Sequence, residues 1–144
     1  MLGMLKGLMT TMQSHFRKPV TIQYPDERPD LPPRYAGFPG LIWDANVGEP
    51  FCTGCQVCAR FCPTQCIYVT MKDNPKVGDG TSKRRKIVDE FELNVSCCTQ
   101  CAVCVEVCNF DAIEMTHTFE MASYSREQVM NLQDMLSMKE KGGP

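Results

Sequence analysis

The sequence predicts an α+β fold of two pseudo-symmetric halves, preceded by an amphipathic helix and an extended arm and followed by a C-terminal helix. Three observations predict it. One spaced cysteine pattern occurs twice at a constant offset of 46 residues, the mark of one supersecondary unit in two copies. All ten cysteines lie between Cys52 and Cys108, which bounds the repeated core. The flanks carry helix-period apolar residues at both ends, with a proline-rich stretch before the core. The chain divides accordingly into an arm over 1–50, a cysteine core over 51–116 and a polar, Met-rich tail over 117–144.

Bulk properties narrow the function classes. A chain of 144 residues holds one compact domain, or a small domain with arms. Fifteen basic against 17 acidic side chains give a net charge of −2, which argues against a general nucleic-acid binder. At 43% hydrophobic and 22% charged residues the chain is not expected to be wholly disordered. The most apolar stretch, MLGMLKGLMTTMQSHF, is interrupted by Lys6, Gln13 and His15, and is shorter than the roughly 20 apolar residues a membrane span needs. It also lacks a small-residue cleavage site, so the chain is read as mature from Met1 and not exported by the general secretory route.

In the arm, Leu2, Leu5, Leu8, Met9, Met12 and Phe16 recur at helical spacing and form one stripe. Gly3 and Gly7 weaken that helix, so it is expected to need a partner surface. KPVTIQY (18–24) reads as a short strand. Residues 25–40 hold five prolines in sixteen positions and exclude a regular helix or central strand; an extended segment laid over another protein is expected. In the tail, Ser125 followed by Gln128 fits a capping box. Val129, Leu132, Met135 and Leu136 would then share a face, with Gly142, Gly143 and Pro144 as the stop.

The chemistry lies in the repeat. The first copy is Cys52-x2-Cys55-x2-Cys58-x3-Cys62-Pro63 and the second Cys98-x2-Cys101-x2-Cys104-x3-Cys108-Asn109, with TQCIYV (64–69) aligned on FDAIEM (110–115). A cube of four irons and four sulfides needs one thiolate per iron, and three cysteines two residues apart wrap a tight loop around three corners. The fourth, about one helical turn beyond the third, is poorly placed to close the same cube. In a two-cluster ferredoxin it crosses to the other one. Cys52, Cys55, Cys58 and Cys108 are therefore assigned to one [4Fe-4S] cluster, and Cys98, Cys101, Cys104 and Cys62 to the other. Two competing uses of cysteine fit less well. Disulfide scaffolds are usually secreted, and zinc sites usually draw on separated C-x2-C pairs. Each half is expected to give a strand, a cluster loop, a short helix holding the fourth cysteine, and a second strand. The apolar core is small, so the clusters should supply much of the stability and the apo chain should be largely unfolded.

The remaining residues receive packing or surface readings. Cys66 aligns with Ala112, and Cys97 breaks the spacing to Cys101, so both are expected to pack near a cluster without ligating it. Asn109 stands where a proline is usual and should alter the second turn without loss of a ligand. Phe51, Phe61, Phe110 and Ile113 are expected to shield the cubes. The run Lys83, Arg84, Arg85, Lys86 reads as a solvated hairpin or docking edge, and His15 and His117 as surface or packing residues. No side chain reads as an acid, base or nucleophile.

With these residues in view the sequence resembles a known family. RKPVTIQYPDERPDLPPRYAG (17–37), EPFCTGCQVCARFCPTQCIYV (49–69) and DAIEMTHTFEMASYSREQV (111–129) are similar to subunit I of NADH-quinone oxidoreductase, respiratory complex I, and the resemblance covers nearly the whole chain. It departs from the family at RYAG (34–37), where Arg-aromatic-Arg-Gly is usual, and at Trp43-Asp44, where a basic residue is common. The resemblance implies a ferredoxin-like fold and an electron-relay subunit with no bond chemistry of its own. It also implies as partners an upstream cluster subunit, quinone-site subunits and the membrane arm, with no nucleic acid. The cluster on Cys52, Cys55, Cys58 and Cys108 would receive electrons, and the cluster on Cys98, Cys101, Cys104 and Cys62 would pass them on. Residues 2–16 would lie on the membrane arm, in a peripheral protein on the cytoplasmic side of a bacterial plasma membrane, or the matrix or stromal side in an organelle. The alternatives are a ferredoxin-like subunit of a related membrane-bound hydrogenase, and a free two-cluster ferredoxin, which would need only the core.

Overall fold

A computed structural model describes residues 2–141, so the closing Gly142-Gly143-Pro144 signal lies outside the described residues. The chain divides into two compact units, Met1–Pro32 and Pro33–Pro144. The first contains helix α1 (Leu2–His15), in which no residue is buried. Its predicted stripe forms, and Leu2, Leu5, Leu8, Met9 and Met12 stay exposed along it, with Phe16 just past the end. Residues 18–24 are not the predicted strand. They find no pairing partner among the described residues, Val20 and Ile22 are exposed, and the chain turns at Glu27, whose N–H donates to the Gln23 carbonyl at 2.8 Å. β-branched residues favour a strand only where a neighbouring strand takes up their backbone groups.

The second unit is the predicted α+β, ferredoxin-like fold. Its strands are β1 (Pro39–Leu41), β2 (Trp43–Asp44), β3 (Glu49–Pro50), β4 (Ile67–Asp73), β5 (Lys86–Asn94), β6 (Ile113–Met115) and β7 (Val129–Met130). Its helices are α2 (Val57–Phe61), α3 (Val103–Glu106) and α4 (Leu132–Lys141). The strands form an antiparallel β4–β5–β7 sheet and two ribbons, β1–β6 and β2–β3. The pseudo-symmetry is visible in the register. Ile67 pairs with Leu93, and Ile113, its equivalent 46 residues on, pairs with Leu41. The strand partner of the second copy therefore comes from Pro39–Leu41, inside the stretch the sequence reads as extended arm. Phe91, Leu93, Val88, Leu41 and Met135 are the largest fully buried side chains among the described residues.

Two corrections concern the tail and the short helices. Ser125 does not cap a helix: its hydroxyl donates to the Glu127 carbonyl, and Val129 enters β7 instead. The cap is Asn131, whose backbone N–H donates to Asp134 Oδ2 at 3.1 Å, the back-bond of a capping box three residues wide. Met135 and Met138 on α4 are then buried, and Gly40 of β1 lets the helix approach, since a Cβ there would stand 3.2 Å from Met138 Cβ and closer still to Thr116. The helices α2 and α3 hold the third cysteine of each motif, Cys58 and Cys104, and not the fourth. Cys62 is the C-cap of α2, in the extended conformation that the following Pro63 requires. Where Asn109 replaces proline, the chain stays helical one residue past α3 and Cys108 closes on the Val105 carbonyl at 3.2 Å.

Candidate metal centres

Each cysteine loop is built from residues that few sequences tolerate. Gly54 and Gln100, Gln56 and Ala102, and Gln65 and Asp111 all have positive φ, and each pair is separated by the repeat offset. Five of these six are not glycine, and each costs of order 1 kcal/mol or more, a strain that persists where surroundings enforce it. Alternating left-handed and ordinary residues curl a chain into a concave, anion-cradling nest. Contacts to the sheet hold the first loop. The Cys52 carbonyl accepts from Val88 N–H at 3.1 Å, and Gln56 Nε2 donates to the Val69 carbonyl at 3.0 Å. At Gly54, with φ +74°, a Cβ would stand 2.7 Å from the Thr70 carbonyl oxygen.

The eight motif cysteines line two cavities, and the fourth cysteine of each motif lies in the cavity of the other. Cys52, Cys55, Cys58 and Cys108 line one together with Phe110, Ala112 and Ile113. Cys62, Cys98, Cys101 and Cys104 line the other, with Cys66 as a fifth sulfur on its wall. The sulfurs ring these spaces without converging on a point: among the described residues no three His, Cys, Asp or Glu side chains stand close enough for a single metal ion. Thiolates spaced around a cavity suit a cubic cluster better than a mononuclear zinc ion. The first cavity also contains a polar atom that needs a partner. Thr53 Oγ1 is buried without a hydrogen bond on the wall of that cavity, where an inorganic sulfide would accept one.

Burial dominates the thiols. It pushes Cys52 and Cys104 up to about 11, and Cys58 and Cys66 up to about 12. Cys62 moves the other way. Burial opposes its ionisation, but hydrogen bonds from Thr64 and Cys66 outweigh that and hold the thiol below its ordinary value. All ten cysteines are free, and Cys62 Sγ lies 3.5 Å from Cys66 Sγ.

Several sequence expectations are corrected here. Cys66 packs beside the second cavity as expected, but Cys97 is exposed and lines neither cavity. Phe110 and Ile113 line the first cavity, whereas Phe61 is 61% exposed on the outer face of its short helix and shields nothing. Phe51 packs under the guanidinium of Arg84, 4.5 Å from its ring centre. Arg84 is not part of a solvated basic edge. It bridges Asp44 and Glu49, each at 2.9 Å, while Glu49 also accepts from Ser82 and Asn74. Its run neighbours Lys83, Arg85 and Lys86 are exposed, and Lys86 pairs with Asp73. The buried acids Asp44 and Glu49 are what sequence reasoning missed; a Trp-Asp pair before a glycine turn is too common a pattern to mark them. His117 packs edge-on to Tyr35.

Comparison with known proteins adds four findings. Residues 51–112 match the family described as a 4Fe-4S dicluster domain. The chain is 34% identical over 136 residues to NADH-quinone oxidoreductase subunit I 2 of Geobacter metallireducens, covering 94% of this chain and 97% of that protein. It is 38% identical over 137 residues to NADH-quinone oxidoreductase subunit I 2 of Streptomyces coelicolor, covering 93% of this chain and 66% of that longer protein. Among solved structures it is similar to a chain of the membrane-bound sulfane sulfur reductase, an archaeal respiratory membrane complex, at 26% identity and a TM-score of 0.53. That likeness covers 81% of this chain and 53% of the other.

Proposed function

The chain belongs to the NADH-quinone oxidoreductase subunit I family, iron–sulfur electron-relay subunits with two [4Fe-4S] clusters, and from that premise we propose its ligands, partners and place. Cys52, Cys55, Cys58 and Cys108 hold one cluster, and Cys98, Cys101, Cys104 and Cys62 hold the other. The observation that carries this is the exchange of the fourth cysteines between the two cavities. When bound, the clusters supply one-electron redox chemistry and nothing else. The chain's residues hold and insulate them. The strained loops present three thiolates each, Phe110 and Ile113 exclude water from the first cavity, and Cys62 and Cys108 tie each half to the metal of its neighbour.

The cluster core (51–116) is flanked in sequence by an arm (1–50), whose first part is the docking element, and a tail (117–144) whose helix packs on the core. Its partners are an upstream cluster subunit, quinone-site subunits and the membrane arm. The stripe of α1 supports the last of these, because its leucines and methionines are exposed. No helix among the described residues is long and apolar enough to cross a membrane. The proposed place is peripheral, on the cytoplasmic, matrix or stromal side. Cys62→Ser and Cys108→Ser test the ligand sets. Each variant is expected to lose the EPR signal of the cluster in the opposite repeat, and damage confined to the home repeat would overturn the assignment. A second reading, a ferredoxin-like subunit of a related membrane-bound complex such as a hydrogenase, is favoured by the likeness to the archaeal reductase. Quinone-dependent oxidation by the purified complex separates the two.

A further inference from the structure

We propose that Thr64 and Cys66 are hydrogen-bond donors to the sulfur of Cys62, and that they raise the potential of the cluster held with Cys98, Cys101 and Cys104 above that of the other, which gives the relay its direction. The inference deepens the proposed function and rests on its ligand sets. Its basis is a difference between two halves that are otherwise alike. Thr64 Oγ1 and Cys66 Sγ both lie 3.5 Å from Cys62 Sγ, within hydrogen-bonding range for sulfur. At the positions 46 residues on, Cys108 has Phe110 and Ala112, and neither side chain carries a proton to give. The backbone leans the same way: the Ala112 N–H donates to Cys108 Sγ at 3.3 Å, while the N–H groups of both Thr64 and Cys66 serve Cys62. Each loop also carries a threonine after its first cysteine, Thr53 and Thr99, on the wall of its own cavity. The side chains of residues 64 and 66 are the part of this contrast that substitution removes.

The direction of the two bonds follows from ligation. A cysteine bound to iron is a thiolate and has no proton, so its sulfur only accepts. The Thr64 hydroxyl and the Cys66 thiol must then both donate. Reduction adds one negative charge shared by the cube and its ligand sulfurs, and a donor aimed at one of those sulfurs stabilises the reduced form more than the oxidised one. The cluster served by Thr64 and Cys66 becomes the better acceptor. With both clusters bound, the chemistry supplied would be transfer of one electron between them, with no bond made or broken and no proton moved. Cys66 is a positioning residue in this scheme and not a ninth ligand, since Cys62, Cys98, Cys101 and Cys104 already supply one sulfur for each iron.

The test is an EPR-monitored redox titration of the full chain isolated anaerobically, with Cys62→Ser used to assign which signal belongs to which cluster. Cys66→Ala is expected to lower the reduction equilibrium constant of the second cluster about tenfold, a shift of ~59 mV for one electron, and to leave the first unmoved. Thr64→Val should shift it in the same sense. Cys66→Ser, which retains an O–H donor, should stay near the parent value, a rescue that simple packing loss would not produce. If Cys66→Ala fails to assemble, Thr64→Val and Cys66→Ser still decide the matter. Unmoved potentials in Thr64→Val and Cys66→Ala at full iron and sulfide content would overturn the proposal while leaving the ligand sets intact. A shift on the first cluster, or equal shifts in Cys66→Ser and Cys66→Ala, would overturn it as well. Loss in Cys62→Ser of the cluster on Cys52, Cys55 and Cys58 would overturn the ligand sets and this proposal together.

Discussion

Single positions decide whether the loops and the framework around them form at all. Gly54 combines a left-handed φ with no room for a side chain, because a Cβ would press on the Thr70 carbonyl and on Met71. Gly54→Ala should therefore empty the first cavity and leave the second filled, measured as iron and sulfide content near half of the parent and one EPR signal instead of two. Arg84 holds the β2–β3 ribbon to the loop before β5 through two buried acids. Arg84→Met leaves both carboxylates without their cation and should destabilise the fold, seen as faster bleaching of the visible absorbance on heating. Arg84 heads the causes that lower Asp44. At Glu49 burial raises the carboxyl, and the bonds from Ser82, Asn74 and Arg84 outweigh it, so both acids titrate below their ordinary values. A depressed carboxylate contributes stability that is complete above its unfolded pKa and is lost as pH falls through the folded one. The gap between parent and Arg84→Met should thus stay constant from about pH 8 to about pH 5, and close only below the ordinary carboxylate range. Which cysteines share a cavity was legible residue by residue, because metal chemistry fixes spacing directly. Arg84 was not, since four adjacent basic residues read alike until Asp44, forty positions away, is known to face one of them.

Elements were legible where their pattern is self-contained. α1 follows from apolar spacing alone, and its exposed stripe makes deletion of residues 2–16 a test of docking: cluster content should be unchanged, while the chain is recovered less firmly bound to membranes in salt washes. The strand expected at 18–24 failed for want of a neighbour, and β1 was missed for the converse reason. Pro39-Gly40-Leu41 is a poor strand by composition, yet Ile113 needs the partner that Leu93 supplies to Ile67 in the other half. α4 illustrates a choice between two local signals. Ser125-x-x-Gln128 and Asn131-x-x-Asp134 both fit a cap, and the pairing of Val129 and Met130 with Asn94 and Leu93 reserves the earlier residues for a strand. Asp134→Ala should cost about 1 kcal/mol, read as a lower midpoint for loss of helical circular dichroism. Ser125→Ala should leave that midpoint in place.

At the scale of the whole molecule, cluster loading is coupled to protons. Burial sets Cys52 and Cys104 at about 11 and Cys58 at about 12, so at neutral pH these three sulfurs are thiols. Ligation requires the thiolate, and every ligand that enters as a thiol must release a proton. The sign follows. Raising the pH removes part of that cost, and cluster assembly becomes more favourable by up to about tenfold per pH unit for each proton released. Anaerobic reconstitution of the full chain with iron and sulfide should therefore rise in yield from about pH 6.5 to about pH 8.5, followed by visible absorbance and released protons. A flat profile would mean that the thiols are already ionised before metal arrives. Cys62 is the exception, held low by Thr64 and Cys66, and it belongs to the cavity where Cys101 is also exposed. That cavity should fill first as the pH is raised, and the appearance of its EPR signal ahead of the other checks the order.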